Sequence, residues 1–337
     1  MNKTKILPVV FLLILSVLIL SAGEVIKIGS AAPDRSPWSD ALKKISREWE
    51  RITNGQTSLK IYPGGITGNE QDTIRKVRFG MLGGAALTNM GMVKIHPEVY
   101  VLNTPFLFKS DEELKYVLDK MKPYFEQKFE ERGFKVIVWS LAGWVHFFTK
   151  NPALSPADMK KFKIGFSTGE PEMEQAWKRM GYHVVPTHLK DLLMALQSGM
   201  VDACYLPPLF AGLGQYFPFV PHLNELRVAP LLGSIVIATK VWNKIPSEFQ
   251  KPMMDYCNSL TDEFYQTILD LEAEAIATMR EHGLVVDTPA EESLSSWAEQ
   301  ARLGVEGMIG KTFSQETYDQ VLEHLNDYRK TNRTQQP

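Results

Sequence analysis

The chain has 337 residues, of which 44% are hydrophobic and 23% are charged, with 37 Lys and Arg against 39 Asp and Glu. This length predicts two globular domains, and the composition provides enough apolar residues for sizeable cores. The small net negative charge, with no run of basic residues, argues against a nucleic-acid partner, because phosphate binding needs patches of Lys and Arg.

The first 23 residues form a segment of their own. Lys3 and Lys5 precede an uncharged apolar run of 15 residues, 6–20, and the small residues Ser21-Ala22-Gly23 follow it. This is the pattern of a secretory signal peptide (1–23), so we predict that the mature protein is exported. The alternative is an uncleaved N-terminal membrane anchor, for which 15 residues are slightly short.

The first half of the remaining chain alternates strand and helix patterns. The first predicted helix begins at Ser36-Pro37, with Ser36 as its N-cap, and carries apolar residues at spacings of 4, 3, 4 and 3 from Trp38 onward. Predicted strands lie at 24–30, 57–62, 85–90 and 135–141, and predicted helices at 37–53, 69–79 and 110–131. The β-α-β-α-β order favours a parallel sheet with crossover helices.

A second unit of alternating strands and helices begins near residue 147. Its predicted elements are a capped helix start at 155–158, strands within 161–166 and 201–206, and helical apolar faces at 173–180 and 189–196. A further strand, within 231–242, returns to the pattern of the first unit. Between Pro252 and His282 the sequence contains neither Gly nor Pro. We therefore predict one long helix, 246–282, that spans both domains.

The stretch GFSTG, 165–169, fits the G-x-S-x-G pattern of a hydrolase nucleophile elbow around Ser167. The preceding MKKFKI contains three lysines, whereas the central strand before such an elbow is nearly all apolar. Glu170 and Glu172 begin the following helix and would repel a bound anion. We therefore predict no enzymatic activity, and a secreted Ser167 esterase stays as an alternative.

The chain has two cysteines, Cys204 and Cys257, and no C-x-x-C pair. Export would permit a disulfide between them, but their sequence contexts differ, and we expect two free buried thiols. His183 and His188 do not have the spacing of a helical metal pair. We predict neither a metal nor another cofactor.

Several segments, in order along nearly the whole mature chain, resemble the solute-binding (P) subunit of TRAP transporters, the DctP-like family. They include PGG at 63–65, LNTPFLF at 102–108, SPADMKKFKI at 155–164, ALQSGMVDACYLP at 195–207 and ATKVWNKIP at 238–246. The resemblance implies an α/β, two-domain periplasmic-binding-protein fold of type II-like topology. It also implies a ligand cleft between the domains and delivery of the ligand to small and large membrane subunits.

The domain boundaries follow from this resemblance and from the element order. Domain I is expected to comprise 24–146 and 227–258, and domain II 147–226 and 283–330, with the helix 246–282 spanning both. The resemblance also raises a periplasmic TPR-repeat protein as an additional partner.

The chain departs from the family at the residues that bind an organic acid. The resemblance places one carboxylate-binding arginine at Gly165 and a second at Val145, and places polar residues where Ala203, Cys204, Tyr205 and Leu206 stand. A carboxylate buried without a partner costs several kcal/mol. We therefore predict a hydrophobic or amphipathic ligand, held by apolar burial.

The predicted ligand-binding residues come from both domains and from the second crossing between them. They are Trp38, Asn89, Trp144, Val145, Phe147, Gly165, Phe166, Cys204, Tyr205, Phe210 and Arg227. Arg227 is the candidate replacement cation, so an ordinary organic acid bound by Arg227 or by backbone groups is the alternative ligand. For the aromatic residues, ordinary core packing is the competing interpretation.

Overall fold

The computed structural model describes residues 23–167 and 171–333. The predicted signal peptide or anchor, apart from Gly23, lies outside the described residues. So do Thr168 and Gly169, the last two residues of the GFSTG motif, and Glu170, which follows it in the sequence.

The described chain is a mixed α/β structure. Its strands are β1 (Glu24–Ser30), β2 (Thr57–Tyr62), β3 (Gly84–Thr88), β4 (Phe134–Thr149), β5 (Lys163–Ser167), β6 (His183–Thr187), β7 (Ala203–Leu206), β8 (His222–Asn224), β9 (Ala229–Ala238) and β10 (Val285–Asp287). Its α-helices are α1 (Pro37–Ile52), α2 (Glu70–Arg78), α3 (Asn89–Ile95), α4 (Asp111–Glu130), α5 (Pro156–Met159), α6 (Pro171–Arg179), α7 (Leu192–Gln197), α8 (Pro208–Leu213), α9 (Thr239–Trp242), α10 (Ser247–Glu281), α11 (Glu291–Glu306) and α12 (Gln315–Arg333). Short 3₁₀ turns lie at Pro97–Asn103 and Leu189–Asp191.

The strands form one continuous sheet in the order β2-β1-β3-β9-β4-β7-β5-β6, with β8 beside β4 and β10 beside β8. Strand β4 belongs to both ends of this sheet. It pairs with β9 over Phe134–Val145 and with β7 and β8 over His146–Thr149. We call β1, β2, β3, β9 and 134–145 lobe I, and 146–149 with β5 to β8 and β10 lobe II.

Local sequence signals explain where the helices begin. The Ser36 hydroxyl accepts a hydrogen bond from the backbone of Ser39, with Pro37 at the first helical position, which confirms the predicted start of α1. Ser155 and Asp158 form the predicted capping box. In the middle of the apolar stripe of α1, Leu42, Ile45 and Trp49 are completely buried against the sheet.

A helix of the predicted length, α10, follows the last long strand. Its 35 residues extend about 52 Å at 1.5 Å per residue. It packs against α1 and β4 of lobe I and against α8, which follows the lobe II strand β7. One rigid element therefore contacts both lobes.

The C-terminal helices divide between the lobes. Helix α11 contacts α5 and α6 beside lobe II, whereas α12 contacts α4 and the turn at 97–103 beside lobe I. The side chain of Arg329 in α12 donates to the Glu113 carboxylate of α4 at 2.7 Å. The last helix thus lies against lobe I, whereas the sequence analysis places 283–330 in domain II. The domain boundaries as a whole stay a prediction.

Both cysteines are free and buried, as predicted. Burial raises the pKa of Cys257 to about 12 and raises that of Cys204 further above the usual range. Both thiols are therefore protonated at neutral pH and behave as small apolar side chains.

No helix between residues 23 and 333, within the part that is described, is long and apolar enough to cross a bilayer.

The strand shared by the lobes depends on a glycine. Gly143 has φ +127°, and a Cβ there would lie 2.2 Å from the Glu272 Oε1 of α10 and 2.9 Å from the Pro207 Cβ. We expect Gly143→Ala to lower the free energy of unfolding by about 2–4 kcal/mol, through backbone strain and steric overlap. Chemical denaturation followed by circular dichroism measures this.

Gly212→Ala is the matched control, because a Cβ at Gly212 in α8 meets only ordinary contacts at 3.8 Å or more. It is expected to be neutral or slightly stabilising. Equal losses for the two variants would contradict a special role of Gly143.

Candidate functional site

The direction of the strands locates the cleft. In lobe I, β1 runs parallel to β2 and β3, and β4 has the same direction because both β3 and β4 are antiparallel to β9. In lobe II, β5, β6 and β7 are parallel and β4 is antiparallel to β7, with His146 opposite Leu206. The carboxyl ends of the parallel strands of both lobes therefore face the point where β4 crosses. In open α/β sheets this is the edge at which ligands bind.

An aromatic contact bridges this edge. Trp38, at the start of α1, stacks on Phe210 of α8 with ring centroids 5.5 Å apart. Phe264 of α10 meets the Trp38 ring edge-on at 6.5 Å. Trp38 packs against the apolar core of lobe I and Phe210 against that of lobe II, and both are partly exposed, so their contact bridges the lobes.

Asn89 begins helix α3 at the carboxyl end of β3. The Glu70 carboxylate accepts hydrogen bonds from the backbone and the hydroxyl of Thr88, both at 3.0 Å. Burial raises the pKa of Glu70, and a Cβ on Gly91 would lie 2.5 Å from its Oε2. A buried acidic cap therefore holds the turn that presents Asn89.

The position of the expected first arginine is closed by apolar atoms. A Cβ on Gly165 would lie 2.9 Å from the Leu192 Cδ1 and 3.4 Å from the Val201 Cγ2. Its neighbour on β7, Cys204, is completely buried. Gly165 and Cys204 therefore face an apolar cluster beneath α7.

Val145, at the expected second arginine, lies at the crossing itself. It is 5% exposed and pairs with Ala229 of β9. Neither expected arginine position thus presents a cation to the cleft.

The other face of the lobe II sheet carries an aromatic cluster. Phe147 and Phe166 are buried there, and each lies about 6 Å from the ring of the partly exposed Tyr205 (5.6 and 6.2 Å). Trp177 and Trp297 complete the cluster around Phe147. The structure brings these three predicted residues together, in positions that stabilise the lobe.

Arg227 and Trp144 meet at a carboxylate that the sequence analysis did not identify. Asp111 accepts hydrogen bonds from the Arg227 guanidinium at 2.8 Å, the Trp144 indole at 2.7 Å and the Tyr265 hydroxyl at 3.0 Å. The guanidinium also lies 5.0 Å from the Trp144 ring centroid. Burial and the Asp111 charge raise the pKa of Tyr265, which keeps its hydroxyl a donor.

This arrangement joins four segments: α4, β4, α10 and the crossing before β9. In sequence, Asp111 looks only like an ordinary acidic residue after the helix cap Ser110, so no local signal marks it.

Two backbone hydrogen bonds add a further segment at the crossing. The Phe106 amide donates to the Val228 carbonyl at 2.6 Å, and the Val228 amide donates to the Val145 carbonyl at 2.9 Å. Phe106 has φ +57°, a left-handed conformation that costs a non-glycine residue roughly 1–3 kcal/mol. The loop that carries it is therefore held in place by its neighbours.

Glu272 of α10 holds the crossing from the other side. Both of its oxygens accept the Trp144 backbone amide, at 3.1 and 3.2 Å. Burial raises the pKa of Glu272 to about 8, although the Trp144 hydrogen bond and the Arg227 charge oppose this shift. The negative charge of Asp111 raises the pKa of Glu272 further by like-charge repulsion.

Ser167 is the last residue of β5, with Thr187 of β6 beside it. Thr168 and Gly169, which end the GFSTG motif, and Glu170 lie outside the described ranges, and helix α6 begins at Pro171. In the ranges that are described, no three His, Cys, Asp or Glu side chains are grouped as a metal ion would require.

Comparison with known proteins gives consistent matches over most of the chain. The sequence profile of the family described as bacterial extracellular solute-binding protein, family 7 (DctP) matches residues 28–309. The 2,3-diketo-L-gulonate-binding periplasmic protein YiaO of Escherichia coli is 24% identical over 271 residues, which cover 79% of this chain and 82% of that protein.

Solved structures of TRAP periplasmic solute-binding proteins have the same fold. One from Desulfovibrio desulfuricans, with bound sn-glycerol-3-phosphate, has a TM-score of 0.82 at 18% identity and covers 91% of this chain and 97% of that one. One from Xanthobacter autotrophicus, with bound β-D-galacturonate, has a TM-score of 0.80 at 18% identity and covers 89% and 99%. These likenesses confirm the predicted two-domain periplasmic-binding-protein fold.

The raised pKa of Glu272 makes stability depend on pH. The folded chain holds this proton more tightly than the unfolded chain, in which a glutamate titrates near 4.5. The stabilising contribution is therefore complete below about pH 4.5 and is lost as the pH rises toward about 8. We expect the free energy of unfolding of the native chain to fall by a few kcal/mol relative to Glu272→Gln over this range, at about 1.4 kcal/mol per pKa unit.

Denaturant titrations at several pH values measure the difference. Glu274→Gln, an exposed carboxylate on the same helix, is the control and should track the native chain throughout. A native chain that parallels Glu272→Gln at every pH would show that Glu272 titrates normally.

Proposed function

Since the chain belongs to the bacterial extracellular solute-binding protein family 7, we propose that its ligand is an apolar or amphipathic molecule held between lobes I and II. The protein is a periplasmic solute-binding component of a TRAP transporter. In this proposal the two lobes close around the ligand and deliver it to the membrane subunits, without breaking or forming a covalent bond.

The filled position at Gly165 supports the apolar ligand best. A bidentate guanidinium is the strongest side-chain partner for a carboxylate, and Gly165 and Val145 supply none. Leu192 occupies the space that a side chain at 165 would need. A buried carboxylate at this point would lose its hydration without a compensating charge, which costs several kcal/mol.

Trp38 and Phe210 provide the apolar surface at the mouth of the cleft. Complete burial of an aromatic side chain by a ligand contributes roughly 1.5–3 kcal/mol. Because these two rings stack on each other in this structure, a bound apolar molecule would separate them and would then be enclosed between the lobes. The same rings offer no directed polar contact to a small, strongly hydrated acid.

An ordinary organic acid is the second candidate, because 2,3-diketo-L-gulonate and β-D-galacturonate stand in the descriptions of a matched relative and a matched structure. Arg227 is the residue that we predicted to bind such a carboxylate. Its guanidinium already forms an ion pair with Asp111 at 2.8 Å. A ligand carboxylate at Arg227 would have to compete with that ion pair. This is why we favour the apolar ligand over the acid.

A secreted esterase would need Ser167 to be activated by a base. The family membership and the three lysines before the elbow favour transport over hydrolysis. Loss of p-nitrophenyl ester hydrolysis on Ser167→Ala, in a preparation that hydrolyses such esters, would reverse this preference.

An additional TPR-repeat partner stays a proposal that rests on the resemblance alone.

Protein purified without added ligand is expected to retain an apolar or amphipathic molecule. Native mass spectrometry before and after solvent extraction detects the mass difference and identifies the molecule. Isothermal titration with C4-dicarboxylates and with galacturonate is expected to give no binding. Tight binding of either acid, together with an empty apo protein, would contradict the apolar ligand and leave the family assignment intact.

Trp38→Ala and Phe210→Ala are each expected to weaken binding of the extracted molecule about tenfold, since about 1.4 kcal/mol corresponds to a factor of ten. Fluorescence titration measures the dissociation constants. Phe219→Ala, at an exposed lobe II residue outside the aromatic bridge, is the matched control. If Arg227→Gln weakened binding more than either aromatic variant, the carboxylate alternative would be favoured.

A further inference from the structure

Glu272 lies where helix α10 passes from one lobe to the other. On its amino-terminal side, Ile268 is completely buried in the apolar core of lobe I. On its carboxyl-terminal side, Met279 is buried in the core of lobe II, and a Cβ on Gly212 of α8 would contact Ala275 and Met279 at 3.8 and 3.9 Å. The helix therefore changes lobes within about the two turns that carry Glu272.

Strand β4 changes lobes opposite the same point. Its pairing with β9 has a register shift between Leu141 and Gly143, and from His146 onward it pairs within lobe II. The Trp144 amide, which donates to both Glu272 oxygens, lies between these two positions. These hydrogen bonds thus join the two elements that run through both lobes, at the place where each of them crosses.

The burial of the Glu272 carboxyl group is shared between the lobes. A Cβ on Gly143 would lie 2.9 Å both from the Glu272 Cδ and from the Pro207 Cβ, so the two side chains meet at the same point of β4. Pro207 follows Leu206, which pairs with His146 in lobe II. A movement of lobe II about the crossing therefore carries Pro207 with it and admits water to the carboxyl group.

Burial is the main influence on the charge of Glu272. It raises the pKa of this residue to about 8, whereas the Trp144 amide and the Arg227 charge act in the opposite direction. The Asp111 charge of α4 raises the pKa further. Because burial has the largest effect, the affinity of Glu272 for a proton depends on whether water reaches it.

Other groups on the elements that pack against α10 keep their charge between pH 7 and 9. Helix α8, Pro208–Leu213, has no ionisable side chain. Burial lowers the pKa of His146 in β4 to about 4, so this ring stays neutral. A carboxylate of α10 raises the pKa of Lys44 in α1, which stays charged, and burial raises that of Tyr265, which stays neutral.

We propose that Glu272 is a protonation switch for lobe closure, so that the lobes close when it takes up a proton from the solvent and open when it releases one. A neutral carboxyl group can stay enclosed between the lobes, whereas an ionised one is costly to bury and is solvated when they separate. The inference rests on the proposed closure of the lobes around a ligand. It adds that capture weakens as the surroundings become alkaline, because apparent affinity follows the population of the binding-competent state.

The direction of the pH effect follows from the two states of Glu272. The closed form holds the proton up to about pH 8, whereas a solvated glutamate releases it near pH 4.5. The ratio of closed to open molecules is therefore highest in acid and falls as the pH rises toward and through about 8. Between pH 7 and pH 9 this single proton changes the ratio about tenfold.

Single-molecule fluorescence energy transfer measures this ratio without any ligand. Labels at Ile66→Cys and Leu189→Cys, whose native side chains are 69% and 53% exposed, follow the carboxyl ends of β2 and β6 on opposite lobes. The two native cysteines are buried and protonated. We expect the ratio of closed to open molecules to be about tenfold lower at pH 9 than at pH 7.

Glu272→Gln is expected to make the ratio independent of pH over this range, because an amide does not ionise. Glu274→Gln, at an exposed carboxylate of the same helix, is the matched control and should keep the native pH dependence. A native chain whose ratio is constant from pH 7 to pH 9 overturns the proposal, whether or not the variant folds. Equal pH dependence in folded Glu272→Gln, verified by circular dichroism, overturns it as well.

The solvent extract of the purified protein separates this inference from the proposed function. If the extract shifts the labelled protein toward the closed state while the ratio without it does not respond to pH, closure stands and the protonation switch is wrong. If neither the extract nor pH changes the ratio, lobe closure itself is wrong.

Discussion

The buried contact between the Glu272 carboxylate and the Trp144 backbone amide is the interaction on which the rest of the structure depends. It lies where β4 leaves one half of the sheet and enters the other, and it requires a residue without a Cβ at Gly143. The long helix is attached to the shared strand at this point. Because α10 also contacts α1 and α8, the relative position of the two lobes follows from how this crossing is held.

Asp111 has the complementary role on the other side of the crossing. One carboxylate accepts donors from β4, α10 and the segment before β9, so these segments cannot move independently without exposing or orphaning a polar group. Arg227 is engaged by Asp111 and lies over the Trp144 ring. Its role as a ligand-binding cation stays a prediction.

The proposal of an apolar ligand rests on packing as well as on residue type. A Cβ at Gly165 would meet the Leu192 and Val201 side chains at 2.9 and 3.4 Å. An arginine introduced there would meet an apolar wall beneath α7.

The amino-acid sequence by itself determined the α/β class, most helix and strand positions, the helix starts at Ser36 and Ser155, the long helix and the family. These features depend on local periodicity, on caps and on short motifs, all of which involve residues close together in the chain. The tertiary structure alone decided which predicted residues are buried in a core, as for Phe147 and Phe166. It also decided that α12 returns to lobe I, and that Asp111 and Glu272 hold the crossing. These features depend on contacts between residues more than a hundred positions apart, such as Asp111 with Arg227 or Trp144 with Glu272, and no local pattern encodes such pairs.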